Sequence, residues 1–233
     1  MFTIPNLLTS CNLLFGCLAL VSLNKSNIDW CIYFIILAGV ADFLDGFVAK
    51  RMNQNTELGV QLDSLSDVVS FGLLPGMMAY AMMEQMQLPM PSLAFFGFLL
   101  TLMAAFRLVR FNVNVKQGNH YFKGLPVPAS GLFFAGMLSL FQREEIRSSW
   151  LFHPFIFLSL ILAISILMVS NVKMIKYFFY KRWMKMNGFI LVIEGVGMLS
   201  AIWIGAGALS VVVLLHILIS ILIPLKHFQI NTT

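Results

Sequence analysis

Four of the chain's aspartates stand close together in the sequence, at Asp42, Asp45, Asp63 and Asp67. Residues three or four apart share one face of a helix, so we expect each pair to point in one direction. Two such helices facing each other would bring the four carboxylates into one pocket. Uncompensated charge at that density is not stable in a low-dielectric site, so protons or divalent cations must neutralise it. Hard oxygen ligands gathered in this way suit magnesium, manganese or calcium.

The helices that hold these aspartates are predicted to lie in a membrane. The 233 residues are 59% hydrophobic and include 22 phenylalanines, more apolar surface than a soluble domain of this size needs. We therefore expect an all-α, polytopic integral membrane bundle with about eight transmembrane helices. At about 20 residues per span, these are 4–23, 30–50, 63–85, 90–111, 125–142, 150–172, 188–204 and 208–225, the last two joined by Gly205-Ala206-Gly207.

The basic residues predict how the bundle is oriented. Of the 15 lysines and arginines, only Lys25, Arg143 and Arg147 fall on one side of this arrangement. This bias favours a multi-pass protein of the cytoplasmic (inner) membrane with both termini and the aspartates facing the cytoplasm. Residues 173–187 mix basic and aromatic side chains, a composition typical of an interfacial segment on anionic lipid. The lipid bilayer accounts for this charge, so we expect no nucleic acid partner.

The aspartates are predicted to be shallow in the membrane. At 1.5 Å per residue, Asp42 and Asp45 lie roughly 8–12 Å below Lys50. The second pair would lie in the first turns of the third span, where the helix dipole favours negative charge. All four carboxylates would then sit near the level of the lipid phosphates. Gly46 and Gly59 leave room beside them for a ligand to approach the backbone.

Three explanations exist for this cluster. An ion-pair network with Lys50 and Arg51 leaves two bases to neutralise four acids. A divalent-cation transporter would place acids near the bilayer midplane on several broken helices. Metal-assisted phosphoryl transfer fits a shallow cluster better. Two divalent ions would bridge the phosphates of a membrane-anchored donor, and a carboxylate would take the proton from an incoming hydroxyl.

The spacing of these residues resembles the signature of the CDP-alcohol phosphotransferase family. The matching string is Asp42-x2-Asp45-Gly46-x2-Ala49-Lys50-x8-Gly59-x3-Asp63-x3-Asp67. The only departure is Lys50, where the family has arginine. Lysine keeps the charge but loses the bidentate geometry. Residues 4–9, 62–72, 106–112 and 122–129 are similar to the phosphatidylserine synthase branch of the family, so the resemblance covers the first five predicted spans.

The resemblance implies an activity and an organisation. The activity is metal-dependent transfer of a phosphatidyl group from CDP-diacylglycerol to L-serine, giving phosphatidylserine and CMP, by a homodimer. The catalytic core would be residues 1–172, with about six helices, followed by the interfacial segment 173–187 and by 188–233, with two further helices and a short tail. Glycerol 3-phosphate or inositol phosphate as the acceptor, and cation transport as another class of function, stay open.

The resemblance also implies roles for individual residues. Asp42, Asp45 and Asp63 would ligate two metal ions, with Asp67 completing the site and serving as the candidate general base. Whether Asp67 is base, ligand or both is open. The residues lining the cytidine diphosphate part of the donor would be Gly46, Ala49, Lys50 and Gly59.

Other polar residues have two interpretations each. Arg107, Arg110 and Lys123 would bind a lipid phosphate or the carboxylate of serine, or the arginines would only anchor a helix at the membrane surface. The polar residues of the first span, Asn6, Thr9 and Asn12, would bond across helices or reach the nucleotide. Ser64 and Ser66 are candidate nucleophiles. Direct attack by the acceptor at phosphorus is favoured over a covalent intermediate on either serine.

Overall fold

A computed structural model describes residues 3–52, 56–116, 124–172, 174, 195 and 197–222. All regular structure in these ranges is helical, which confirms the predicted all-α class. The main helices are α1 (Ile4–Asn24), α2 (Ile28–Arg51), α3 (Glu57–Glu84), α4 (Leu99–Lys116), α5 (Val127–Phe141), α6 (Pro154–Val169) and α7 (Ala208–Leu222). Shorter helical segments lie at Pro91–Phe98, Glu144–Arg147, Trp150–Phe152 and Ala201–Ile204.

Several helical runs are long and apolar enough to cross a bilayer. In the described part of the chain they are Ile4–Asn24, Ile28–Arg51, Glu57–Glu84, Pro91–Val113 and Gly197–Leu222, and the shorter apolar helices are α5 and α6. These seven runs are consistent with an integral, multi-pass membrane protein. The predicted span 188–204 lies largely outside the described residues.

The last run changes direction at Gly205. A Cβ atom placed on Gly197 would lie 2.9 Å from Cδ1 of Leu215, although residues 18 positions apart on a straight helix are separated by about 27 Å. Gly205 has a φ angle of +57°, which glycine adopts without strain. Nη1 of Arg143 donates to the carbonyl of Trp203 at 3.0 Å, beside this turn. The chain therefore doubles back at the glycine pair, where the sequence predicted a break.

The helix that carries the second aspartate pair begins earlier than predicted. We expected this span to start at residue 63, but α3 begins at Glu57 because Thr56 caps it, accepting a hydrogen bond from the Gly59 amide at 3.1 Å. Asp63 and Asp67 consequently lie well past the first turn. The predicted stabilisation of Asp63 and Asp67 by the helix dipole is therefore wrong, since the effect of the dipole fades within one turn.

The middle of α3 is a π-helix, Val68–Leu73, between α-helical Glu57–Asp67 and Leu74–Glu84. Neighbouring helices hold this wide turn in place. Oγ of Ser70 donates to the Asn12 carbonyl at 3.0 Å, and Oγ1 of Thr101 donates to the Gly72 carbonyl at 3.1 Å. The ring of Phe71 is fully buried. The sequence did not predict this turn, which directly follows Asp67.

The core is centred on α5. Its residues are buried on almost every side, because α2, α3 and α7 all pack around it. Phe133 and Phe134 stack edge to face, and Phe134 meets Phe157 of α6 in the same way. This aromatic core packs on α2 and on the part of α3 that follows Asp67.

Candidate active site

Three of the four predicted aspartates come together between α2 and α3. One carboxylate oxygen from each of Asp42, Asp63 and Asp67 lies within 4.8 Å of the others. Asp67 is buried and the other two are half-buried, so the group opens towards one side. Three carboxylates at this separation repel one another unless a cation or protons lie between them. Their oxygens form a donor set that suits a hard divalent cation.

Asp45 is bound differently from the other three aspartates. It lies outside the 4.8 Å group and is buried, and its Oδ2 atom accepts a hydrogen bond from Oγ1 of Thr9 at 2.5 Å. Its charge is nevertheless close enough to interact with Asp42 and Asp63. The structure therefore places Asp45 at the edge of the cluster, with one oxygen engaged by α1.

Helix α1 forms a third wall of the site. Nδ2 of Asn12 donates to Oδ1 of Asp67 at 3.2 Å, while Asn12 itself is completely buried. Oγ of Ser66 bonds the carbonyl of Thr9 at 3.2 Å and that of Leu62 at 2.9 Å. These contacts decide between the two interpretations of the polar stripe on α1: Thr9 and Asn12 bond across helices and orient the aspartates.

Close approach of α1 to α3 depends on Gly16. A Cβ atom at this position would lie 3.0 Å from Cα of Ser70, a backbone atom that cannot move aside cheaply. The contact lets Ser70 reach the Asn12 carbonyl, on the turn that also supplies the side-chain amide to Asp67. In the sequence, the only sign of this close approach is that Gly16 follows Thr9 by seven residues.

Both serines considered as nucleophiles have structural partners. Oγ of Ser64 donates to the Val60 carbonyl at 3.0 Å and accepts from Nδ2 of Asn112 at 2.8 Å. Ser66 bonds backbone carbonyls, as described above. Among the described residues, the hydrogen-bond partners of these two hydroxyls include no histidine or other base. Their surroundings favour packing roles for both hydroxyls.

The residues predicted to line the nucleotide lie at the open end of α2 and α3. No atom lies within 4 Å of a Cβ placed on Gly46, so the space beside it is open. At Gly59 the same atom would lie 3.0 Å from Oδ1 of Asn6 and 3.1 Å from Oγ1 of Thr56, so this space is already filled. Ala49 is half-buried and Lys50 is exposed in the last turn of α2.

The two predicted arginines of α4 have unlike environments. Nη1 of Arg110 donates to the Val169 carbonyl at 2.6 Å, and Nη2 donates to that of Ser170 at 2.8 Å, which caps the C-terminus of α6. Arg107 is buried, and its charge interacts with that of Asp67. Lys123 lies outside the described residues.

Comparison with known proteins places the chain among lipid-modifying enzymes. A family described as CDP-alcohol phosphatidyltransferase matches residues 2–170. A relative from Methanocaldococcus jannaschii is 34% identical over 176 residues, covering 75% of each chain, and one from Bacillus subtilis is 32% identical over 174 residues, covering 73% of this chain and 88% of the relative. A Saccharomyces cerevisiae relative is 36% identical over 53% of this chain and 50% of its own. All three are named CDP-diacylglycerol–serine O-phosphatidyltransferase.

Proposed function

Because this chain belongs to the CDP-alcohol phosphatidyltransferase family, we propose that it transfers the phosphatidyl group of CDP-diacylglycerol to L-serine, giving phosphatidylserine and CMP. The observation that supports this most directly is the carboxylate group of Asp42, Asp63 and Asp67, which the family's motif brings within 4.8 Å. The activity for which the relatives are named supplies the donor and the acceptor.

A divalent metal fits this carboxylate group. Asp42, Asp63 and Asp67 would hold it, with Asp45 completing a set for two ions, magnesium or manganese. Bound there, the metal supplies positive charge to the phosphates of the donor and to the leaving CMP. The carboxylates of α2 and α3 thus supply the negatively charged ligands that the apolar side chains of the bundle cannot provide.

Asp67 is the group that accepts the proton of the acceptor hydroxyl. The oxygen of serine forms a bond to the phosphorus that bears the diacylglycerol, and the bond from that phosphorus to the CMP oxygen breaks. The hydroxyl proton passes to Asp67. Asn12 bonds Oδ1 of Asp67, which fixes the carboxylate and leaves its Oδ2 atom for the proton.

The remaining donor-binding roles rest on position. Gly46 has open space beside it, and Lys50 is exposed one turn further on, so the donor's diphosphate can approach the α2 backbone there. Ala49 and Gly59 are small neighbours of the same opening. Arg107, Arg110 and Lys123 were predicted to bind acceptor or lipid anions. Arg110 can bind such an anion only after it gives up its hydrogen bonds to the carbonyls at the end of α6.

The same proposal includes the orientation of the enzyme in the membrane and its domain organisation. The basic residues favour both termini and the active site on the cytoplasmic side of the membrane. The core 1–172 contains the whole range that matches the family, and 173–187 and 188–233 follow it as an interfacial segment and an additional helical part. The family resemblance implies that the enzyme is a homodimer.

The proposal is tested by CMP release from purified protein in detergent, with CDP-diacylglycerol and Mg²⁺ or Mn²⁺. L-Serine, glycerol 3-phosphate, inositol and inositol phosphate are each offered as acceptor, and Asp67→Asn is the matched control. We expect release that needs both serine and the metal. Release with another alcohol alone would keep the reaction and change the acceptor. No release from folded protein, together with cation flux in proteoliposomes, would overturn the enzyme in favour of a transporter.

A further inference from the structure

Asp45 is held by a hydroxyl group from another helix. Oγ1 of Thr9 on α1 donates to its Oδ2 atom at 2.5 Å, and the side chains of Thr9 and Asp45 are 3% and 5% exposed. Water therefore has little access to this bond, and a carboxylate at such a depth depends on its protein partner. Asp42, on the same helix as Asp45, lies instead in the carboxylate group with Asp63 and Asp67. The hydrogen bond to Thr9 thus accompanies the separation of Asp45 from the other three aspartates.

The hydroxyl of Thr9 has a second acceptor within reach. Its Oγ1 atom also lies 3.0 Å from the carbonyl oxygen of Pro5, one turn earlier in α1. A threonine hydroxyl carries one proton, so it donates either to Asp45 or to the Pro5 carbonyl at any moment. If Asp45 turns away, the hydroxyl keeps an acceptor in its own helix. Thr9 can therefore hold Asp45 or release it for the loss of one hydrogen bond.

The backbone of Thr9 is fixed between the helices. Oγ of Ser66, which is fully buried on α3, donates to the Thr9 carbonyl at 3.2 Å. Thr9 thus contacts α3 through its backbone and α2 through its side chain. Rotation of the Asp45 and Thr9 side chains leaves the backbone contact intact. Release of Asp45 therefore requires no movement of a helix.

Charge decides when Asp45 would be needed as a metal ligand. The group of Asp42, Asp63 and Asp67 offers three negative charges to a first divalent ion. A second divalent ion close to the first is repelled by it, and the one remaining carboxylate offsets only part of that repulsion. The diphosphate of the donor would bring further negative charge. Two ions are therefore favoured when the donor and Asp45 both contribute ligands.

We propose that Thr9 is a latch for Asp45, a positioning residue that keeps this carboxylate from a metal ion until the donor is bound. In the free enzyme, the group of Asp42, Asp63 and Asp67 holds one divalent ion. When CDP-diacylglycerol binds, Asp45 exchanges its hydrogen bond to Thr9 for a second ion, and the Thr9 hydroxyl turns to the Pro5 carbonyl. The inference rests on the proposed function, which supplies the donor.

Electron paramagnetic resonance of Mn²⁺ tests this order, because two Mn²⁺ ions that share ligands give a spin-coupled signal, unlike the hyperfine pattern of an isolated ion. Wild-type protein, Thr9→Val and Thr9→Ser in detergent are titrated with Mn²⁺, with and without CDP-diacylglycerol and always without serine. Valine keeps the shape of threonine and lacks its hydroxyl, whereas serine keeps the hydroxyl. Asp45→Asn removes the proposed ligand. Thr101→Val is the matched control, because it removes a hydroxyl that bonds the Gly72 carbonyl outside the carboxylate group.

We expect the wild-type protein to show an isolated ion by itself and a coupled pair after CDP-diacylglycerol is added. Without the donor, Thr9→Val should form the pair at a Mn²⁺ concentration about tenfold to a hundredfold lower than the wild-type protein needs, which is the effect typical of a hydrogen bond to a charged group. Thr9→Ser and Thr101→Val should behave as the wild-type protein does. Asp45→Asn should form no pair under either condition.

A wild-type protein that forms the pair without donor as readily as Thr9→Val would overturn the latch. A pair that is weaker in Thr9→Val than in the wild-type protein would also overturn it, since Thr9 would then support Asp45 as a ligand. The same holds for a pair retained by Asp45→Asn, or for an equal shift in Thr101→Val.

Folding of each variant is checked by gel filtration and thermal unfolding in detergent. If Thr9→Val does not fold, Thr9→Ala takes its place, because it also lacks the hydroxyl. A wild-type signal that does not respond to CDP-diacylglycerol, together with a pair in Thr9→Val, would contradict the donor of the proposed function and support the latch. Failure of the proposed function is thus distinguishable from failure of the role assigned to Thr9.

Discussion

The two ends of α3 show how one helix serves two purposes. Residues Glu57–Asp67 carry Asp63, Ser66 and Asp67, whose side chains face α1 and α2 and form hydrogen bonds or the carboxylate group. Residues Leu74–Glu84 carry Met78 and other apolar side chains that are fully buried against neighbouring helices. Chemistry and packing are thus assigned to different turns of the same element.

The π-helix separates these two ends. A wide turn shifts the direction of every side chain after it, and such turns are common at functional sites. Here it allows Asp63 and Asp67 to face α1 and α2 while Phe71 enters the core. This division predicts that substitutions of buried polar residues before the turn affect activity more than stability, and that substitutions of buried residues after it do the reverse.

The largest effect is expected for Asp67→Asn. The amide cannot take the proton of the acceptor, so kcat should fall by about 10²–10⁴-fold, the range for a general base, with little change in thermal stability. The measurement is serine-dependent CMP release. Asp29→Asn, the same substitution at an exposed residue in the first turn of α2, is the control and should retain most activity. Wild-type turnover by Asp67→Asn would remove it from the role of base.

Asp63→Asn should weaken metal binding as well as activity. One charged ligand of the carboxylate group becomes neutral, so the concentration of Mg²⁺ or Mn²⁺ needed for half-maximal activity should rise at least about tenfold. A metal titration of CMP release measures it, with Asp29→Asn, outside the cluster, as the control. An unchanged metal requirement would mean that Asp63 is not a ligand.

Met78→Ala tests the packing end of the helix. Met78 is fully buried, so its truncation should lower the free energy of unfolding by about 2–5 kcal/mol while the folded fraction keeps its kcat. Thermal unfolding in detergent measures the first quantity and CMP release the second. Leu65→Ala, at a side chain that is 65% exposed, should barely change stability. A decrease in kcat for Met78→Ala as large as that for Asp67→Asn would contradict the separation of chemistry and packing along α3.

Asn12→Ala sharpens the comparison from the side of α1. Without the Nδ2 bond, Asp67 is held less firmly, so kcat should fall about tenfold and stability by about 1 kcal/mol. Ser10→Ala is matched to it, because the Oγ atom of Ser10 donates to the Asn6 carbonyl of its own helix at 2.8 Å. Equal activity of the two variants would show that Asn12 does not position Asp67.

Lys50→Arg should have the smallest effect. Lys50 is exposed and occupies the position where the family has arginine, so activity should stay within about twofold and stability within about 0.5 kcal/mol. The KM for CDP-diacylglycerol is the informative measurement. A large increase would indicate that the diphosphate site has been rebuilt around lysine.

Much of the site followed from spacing alone. Pairs of aspartates at intervals of three and four predicted that each helix presents its carboxylates on one face. The structure brings three of the four carboxylates together. The apolar runs predicted most helices within a few residues, because about 20 apolar residues are needed to cross a bilayer. The early start of α3 was missed since its first residues are polar, and a capping threonine at Thr56 was the signal that would have found it.

The sequence by itself determined the helical membrane class, the carboxylate cluster and its chemistry, because these depend on composition and on the 3.6-residue period. The tertiary structure decided which polar group meets which. It assigned Thr9 to Asp45 and Asn12 to Asp67, and it engaged Arg110 at the end of α6 while burying Arg107 with its Nε atom free of hydrogen bonds. Residues so far apart in the chain meet only when helices pack, and no local pattern encodes the distances between them.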